Sequence, residues 1–276
     1  MKMLRHRVKI FPFIMLLLAI VYLFPLYLLI VNAFKDYDSF LRSPYNLPPT
    51  LHFENIKNAF VRSKFPEAAV NNLMVTFLVV TLLVIFSSMS AYALVRRKGK
   101  YLDSIYLYLV AGILIPFQVY MIPLVREFQL IGLGRSLLAL ILTFVAQSTP
   151  MTVFLYTGYI KTIPVEIEEA ALIDGCNPFR LFARIIFPVL TPCTATVTIL
   201  TSLSVWNSYV QPLTIVGNGK WKMLFVQINN LIGSNFFLRW NVVFAACLIA
   251  SLPMLLVFII LQKRIIGGLT GGAVKG

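Results

Sequence analysis

Long, unbroken apolar runs alternate with short polar segments along this chain. Six runs, at residues 10–34, 68–95, 104–124, 136–160, 189–216 and 242–261, contain no Asp, Glu, Lys, Arg or His. A helix needs about 20 apolar residues to cross a bilayer core of roughly 30 Å, and every run reaches that length. With no water to satisfy an open backbone, each run predicts a transmembrane helix. β-branched stretches such as Val79, Val80 and Thr81 favour strands in water, but their length and lack of alternation argue against strands here. The pattern therefore predicts an all-α membrane protein with six transmembrane helices. Residues 35–67 are the one long polar connector, with Asp36, Asp38, Pro44, Pro48 and Pro49. They predict an ordered loop outside the bilayer, carrying a short interfacial helix near residues 53–60.

Composition strengthens this reading. Of the 276 residues, 59% are hydrophobic and 12% charged, against about a quarter charged in soluble domains. An ordinary cytosolic enzyme and a disordered acidic protein are both excluded. The net charge of +14 points to anionic lipid rather than nucleic acid, because the basic residues lie between apolar runs instead of on one patch. Fourteen of the 24 Lys and Arg residues sit before the first run and after the second, fourth and sixth, with a tight cluster at Arg96, Arg97, Lys98 and Lys100. Positive-inside counting places both termini in the cytoplasm. The first run is too long for a signal-peptide core and reads as a retained helix. Cys176, Cys193 and Cys247 have neither disulfide-framework nor metal-site spacing, so no metal is expected.

Ionisable residues inside a membrane mark proton relays, ion paths and catalytic dyads. Their absence from the runs removes most of the weight from a proton-coupled carrier, an intramembrane protease or a haem protein. Neutral polar residues do occur there. Asn72, Ser87, Gln118, Gln147, Trp206, Asn207 and Gln211 are candidate lining for a polar, uncharged solute, with Trp206 as a stacking face. The competing reading is hydrogen bonding between helices. Pro116, Pro123 and Pro150 predict kinks.

The most informative segment is residues 161–192, KTIPVEIEEAALIDGCNPFRLFARIIFPVLTP, on the predicted cytoplasmic side. Thr162 is a candidate cap for a helix that has Pro164 in its first turn and runs to about Ile173. Gly175 offers the left-handed conformation that ends helices. Asn177-Pro178 is a cap followed by a first-turn proline, opening a second helix to about Phe187. On that helix Phe179, Phe182 and Ile186 are expected to share a face. The run Glu169-Ala170-Ala171, Gly175, Ile185 and Phe187-Pro188 resembles the EAA loop of ABC import permeases, whose pattern has Leu at the position of Phe187. Ile173-Asp174-Gly175, Trp206-Asn207 and the Gly-rich C-terminal residues 268–276 resemble the carbohydrate branch of that family. The resemblance covers nearly the whole chain.

It implies a type I ABC importer permease fold. An N-terminal helix and loop would occupy residues 1–67, a permease core 68–262, and a flexible cytoplasmic tail 263–276. Glu169, Ala170, Ala171, Asp174, Gly175, Pro178, Ile185 and Pro188 would form the surface that couples to an ATPase. It further implies ATP-driven import of a sugar or oligosaccharide by alternating access in a bacterial or archaeal inner membrane. The partners would be a second homologous permease, two ATP-binding subunits and an extracytoplasmic binding protein, with membrane lipid around them and no nucleic acid. The chain has no GxxxxGK[ST] phosphate loop, so ATP and Mg would be used by the partners, and this chain would be no enzyme and bind no cofactor. Two other readings remain: a stand-alone channel for a small neutral solute, and an ABC permease for a different solute such as glycerol phosphate.

Overall fold

The computed structural model describes residues 2–97, 99–217, 219–233 and 239–273, and among these no strand occurs. Helix α1 covers Lys2–Ala33, α2 Tyr37–Arg42, α3 Glu54–Arg62 and α4 Phe65–Arg96. Helices α5 (Lys100–Ala111) and α6 (Phe117–Leu130) follow, then α7 (Leu137–Ile160) and α8 (Glu166–Ile173). Next come α9 (Pro178–Leu181), α10 (Phe187–Val189) and α11 (Thr191–Trp206). The last are α12 (Val210–Ile215), α13 (Leu224–Gly233) and α14 (Trp240–Ala273).

Among the described residues four helices are long and apolar enough to cross a bilayer, and two bent pairs raise the number to six if each pair is one span. The predicted third run is one such pair: α5 with its terminal 3-10 turn meets α6 at 102°. The bend falls at Ile115-Pro116, where Pro116 is the N-cap of α6. Proline disfavours helical backbone in the residue before it, and Ile115 is extended at φ −91, ψ 106. The expected kinks at Pro123 and Pro150 do not break their helices. Gly112 lets the turn before the bend approach Pro150, since a Cβ there would lie 3.0 Å from the Pro150 ring. The fifth run is also discontinuous. The segment of α9 and α10 meets α11 at 73°, α11 stops at Trp206, and α12 restarts at Val210. Helix α14 extends to Ala273, so the C-terminal segment is helical up to that residue rather than a flexible tail; residues 274–276 lie outside the described residues.

Two compact units make up the chain. In the first (residues 1–66 and 227–253), the connector folds around the end of α1. Asn55 donates to the carbonyls of Ala33 and Lys35, and Asn241 donates to Lys35 O and to Asn55 Oδ1. Phe34 packs edge-on against Phe53 at 5.3 Å. Lys35 is buried and its Nζ donates to Ser43 O at 2.7 Å. Of the two helices in the connector, α3 lies where the sequence places one. Helix α2, capped by the Asp36 carboxylate on Ser39 N, is too short to show a period. Apolar side chains such as Phe13, Val21 and Leu23 on α1 are exposed, a surface whose natural solvent is hydrocarbon.

The second unit (residues 67–226 and 254–276) holds two apolar clusters. One gathers Val75, Val79 and Leu83 of α4 with Leu140 and Phe144 of α7. The other joins Ala91, Tyr156 and Ile160 to Ile163, Ala171, Leu181 and Ile186. The latter buries the inner face of segment 161–192.

Candidate functional site

Segment 161–192 is built as two short helices around a glycine turn. After α7, Thr162 does not cap the next helix. Its hydroxyl turns back and donates to Tyr159 O, and α8 starts only at Glu166 behind Val165, with no side-chain cap. Glu166, Glu168 and Glu169 lie in its first turn, where the helix dipole favours negative charge. Helix α8 ends as the glycine predicts. Gly175 sits at φ +82, Cys176 N donates to Ala171 O and Gly175 N to Leu172 O, which is the paired bonding of a Schellman turn. No atom lies within 4 Å of a Cβ built on Gly175, so backbone conformation rather than crowding selects glycine.

Asn177 then caps the next helix by accepting from Arg180 N at 2.8 Å, with Pro178 in the first turn. This helix is not a uniform α-helix. Residues 182–186 widen into a π turn, closed by Phe187 N on Phe182 O. Pro188 has no N–H and its ring crowds the carbonyl four residues back, so a wider turn here relieves the clash. The expected common face is divided accordingly: Ile186 is buried, Phe182 is half-buried against Tyr92 (5.4 Å), and Phe179 is 71% exposed.

An ion pair between the partly buried Arg96 and the buried Glu168 fixes α8 to the end of α4. Arg96 Nε donates to Glu168 Oε1 at 2.6 Å, and Tyr92 Oη donates to Glu168 Oε2 at 2.7 Å. Arg96 Nη2 also donates to Ile163 O at 3.0 Å. Both carboxylate oxygens are therefore satisfied where water is largely excluded, which makes a buried pair tolerable. Neither Arg96 nor Tyr92 stands out as a site residue in the sequence, where Arg96 reads only as an orientation charge. The available signal is the Glu168 and Ala171 spacing, three residues apart on one helix face.

Of the residues in the EAA-like pattern, Ala171 is buried and Ile185 half-buried, holding the loop to the unit. Glu169, Ala170, Asp174, Gly175, Pro178 and Pro188 are exposed. Beside them Ile173 is 87% and Leu172 50% exposed. Apolar knobs beside carboxylates are what a docking helix presents.

The neutral polar residues of the apolar runs have different surroundings. Asn72 is fully buried, donating to Trp206 O (3.1 Å) and accepting from Leu224 N (2.8 Å). Trp206 is itself fully buried. Ser87 Oγ pairs with Thr152 Oγ1 at 2.8 Å. These three have the partners expected of interhelical bonding. Gln211 Nε2 donates to Gln147 Oε1 at 3.1 Å, and Ser208 Oγ bonds Gln211 Oε1. Gln118 and Asn207 are exposed, and neither is brought to this group.

Up to six membrane-length helical spans, two of them bent, and a helix–glycine–helix loop are found among the described residues, the plan of a multi-pass membrane protein. Residues 83–270 match the family described as binding-protein-dependent transport system inner membrane component, and the chain belongs to it. Several of its relatives are named as sugar transport permeases. It is 36% identical over 264 residues (95% of each chain) to the probable starch degradation products transport system permease protein AmyC of Thermoanaerobacterium thermosulfurigenes. It is 36% identical over 277 residues (98% of this chain, 99% of the other) to the melibiose/raffinose/stachyose import permease protein MelC of Bacillus subtilis. Its fold is shared with a crystal structure of a bacterial ABC transporter involved in the import of the acidic polysaccharide alginate, at a TM-score of 0.80 and 19% identity. That match covers 94% of this chain and 96% of the other. The chain is accordingly a multi-pass inner-membrane protein.

Proposed function

We propose that this chain is one permease subunit of an ATP-driven importer, and that it carries a neutral oligosaccharide inward by alternating access. Two ATP-binding subunits hydrolyse ATP, a second homologous permease completes the pathway, and an extracytoplasmic binding protein delivers the sugar. Both chain termini and segment 161–192 lie on the cytoplasmic side. The observation that carries this reading is the segment itself. It is rigid on its inner face through Arg96 and Glu168 and exposed on its outer face at Glu169, Ala170, Ile173 and Gly175. A helix pushed by a partner moves the membrane helices only if it is fastened to them, and the buried pair fastens it to α4. The sugar assignment is supported by the names of the relatives and by apolar runs free of charge.

The test is uptake. Membrane vesicles containing the chain with its co-encoded permease, ATPases and binding protein are expected to accumulate raffinose or maltotriose only when ATP is supplied. Sugar flux from the isolated chain in liposomes without ATP contradicts the proposal in favour of a facilitator.

A further inference from the structure

Helix α7 has 24 residues, about 36 Å at 1.5 Å per residue, against a hydrocarbon core of roughly 30 Å. Its last turn leads into segment 161–192, so its first turn reaches the opposite face of the bilayer. Three helix ends converge there: α6 stops at Leu130, α7 starts at Leu137 and α12 stops at Ile215. They enclose a recess of about 270 Å3. Val125, Phe128 and Gln129 of α6, Arg135 of the turn before α7, and Thr214 and Val216 at the end of α12 are among its lining residues.

The lining is apolar on one side and polar on the other, and its polar groups are unpaired. Arg135 forms no ion pair among the described residues, although Glu127 lies in the last turn of α6. Its backbone is left-handed at φ +56, a region that a residue with a Cβ rarely occupies. Glycine, already present at positions 132 and 134, would fit this backbone without strain. Arginine held there against preference points to a use for its side chain. At the end of α12, Val216 N and Gly217 N both donate to Pro212 O. The carbonyls of Leu213, Thr214 and Ile215 consequently accept from no described residue.

We infer that this recess binds the head group of a glycerophospholipid, with the phosphate on Arg135 and head-group donors on the α12 carbonyls. A guanidinium at the membrane interface pairs with phosphate in bidentate fashion. The donors are the hydroxyls of a phosphoglycerol head or the ammonium of a phosphoethanolamine head; a phosphocholine head has none. An acidic side chain of a protein partner would suit Arg135 but would be repelled by the carbonyls. The volume is below the roughly 300–1,000 Å3 that encloses a whole ligand, so the acyl chains lie outside. Leu130 of α6 (80% exposed), and Leu138 and Leu142 one turn apart on α7 (51% and 43%), offer them apolar surface. This site is independent of which solute the chain transports.

The test is photocrosslinking in membrane vesicles that hold the complete complex. The probe is a phosphatidylglycerol with a diazirine next to its glycerol, and adducts are mapped by mass spectrometry. They are expected on the peptides that contain residues 125–135 and 213–217. Arg135→Gly suits the left-handed backbone, so its melting temperature in detergent is expected to be no lower than that of the wild type. Its adduct yield is expected to fall about 10-fold, the scale of one lost hydrogen bond to a charged group, while Arg135→Lys keeps most of it. Unlabelled phosphatidylglycerol or phosphatidylethanolamine displaces the probe and phosphatidylcholine does not. Equal yield in Arg135→Gly, or adducts confined to other peptides, overturns the site. Displacement by phosphatidylcholine as well overturns the role of the carbonyls. A photoreactive residue at position 129 that captures the partner permease or the binding protein, and no lipid, shows a protein interface instead.

Discussion

Arg96, the last residue of α4, closes a 2.6 Å contact with Glu168 in the first turn of α8, although 72 residues separate them in the chain. This pair makes segment 161–192 an extension of α4 rather than a tether. Removing Arg96 leaves the buried Glu168 charge uncompensated, and removing Glu168 leaves a partly buried guanidinium without its partner. Arg96→Ala and Glu168→Ala are each expected to destabilise the fold by about 3 kcal/mol, visible as lower abundance and a lower melting temperature in detergent. The double variant Arg96→Met/Glu168→Leu is expected to recover much of the stability while sugar uptake stays low. Uptake restored to the wild-type rate in the stable double variant would show that the pair is structural only.

At Gly175 the φ of +82 ranks substitutions by backbone alone. Asn and Asp tolerate this region better than β-branched residues do. Gly175→Val is therefore expected to lose ATP-driven uptake more completely than Gly175→Asn, with both inserted normally. Left-handed backbone costs a residue with a Cβ roughly 1–2 kcal/mol. Equal uptake in the two variants would place the role of Gly175 in contact with a partner rather than in the turn.

Ile173 exposes 87% of its surface beside Glu169 and Asp174. Ile173→Asp should leave the chain folded, since the side chain touches little of it, and should abolish co-purification of the ATPase subunits. Glu169→Lys is expected to weaken the same association, and more so at low ionic strength, where an unfavourable charge pair is least screened.

Asn72 separates a structural role from a solute role. It satisfies the carbonyl of Trp206 and the N–H of Leu224 together. Asn72→Leu strands both, at about 1–3 kcal/mol each. The melting temperature of the purified chain is expected to fall, while the sugar specificity of any remaining uptake stays unchanged.

The residues also show what the sequence makes legible. The apolar runs, the Gly175 turn and the Asn177-Pro178 cap depend on local backbone chemistry, and each appears where the residues place it. Pro116 predicts a kink and the chain does bend there, but the size of the bend, 102°, is not legible, because an apolar composition reads the same in a straight span and a broken one. The expected cap at Thr162 lost to back-bonding onto Tyr159, a competition that local sequence does not decide. The Gly-rich segment 268–273 reads as a tail by propensity, yet continues α14. The Arg96–Glu168 pair and the two hydrogen bonds of Asn72 join residues far apart in the chain, so no spacing rule reaches them. Among the neutral polar candidates, composition finds the residue types; packing separates those bonded to backbone, such as Asn72, from those bonded to another side chain, such as Gln147.

The most direct measurement is ATP-dependent uptake of raffinose or maltotriose by the reconstituted complex, comparing the wild-type chain with Ile173→Asp at matched amounts in the membrane. ATP-driven accumulation by the wild type and none by the variant is the expected result. Equal accumulation by both, or wild-type flux that needs no ATP, would contradict coupling through this loop.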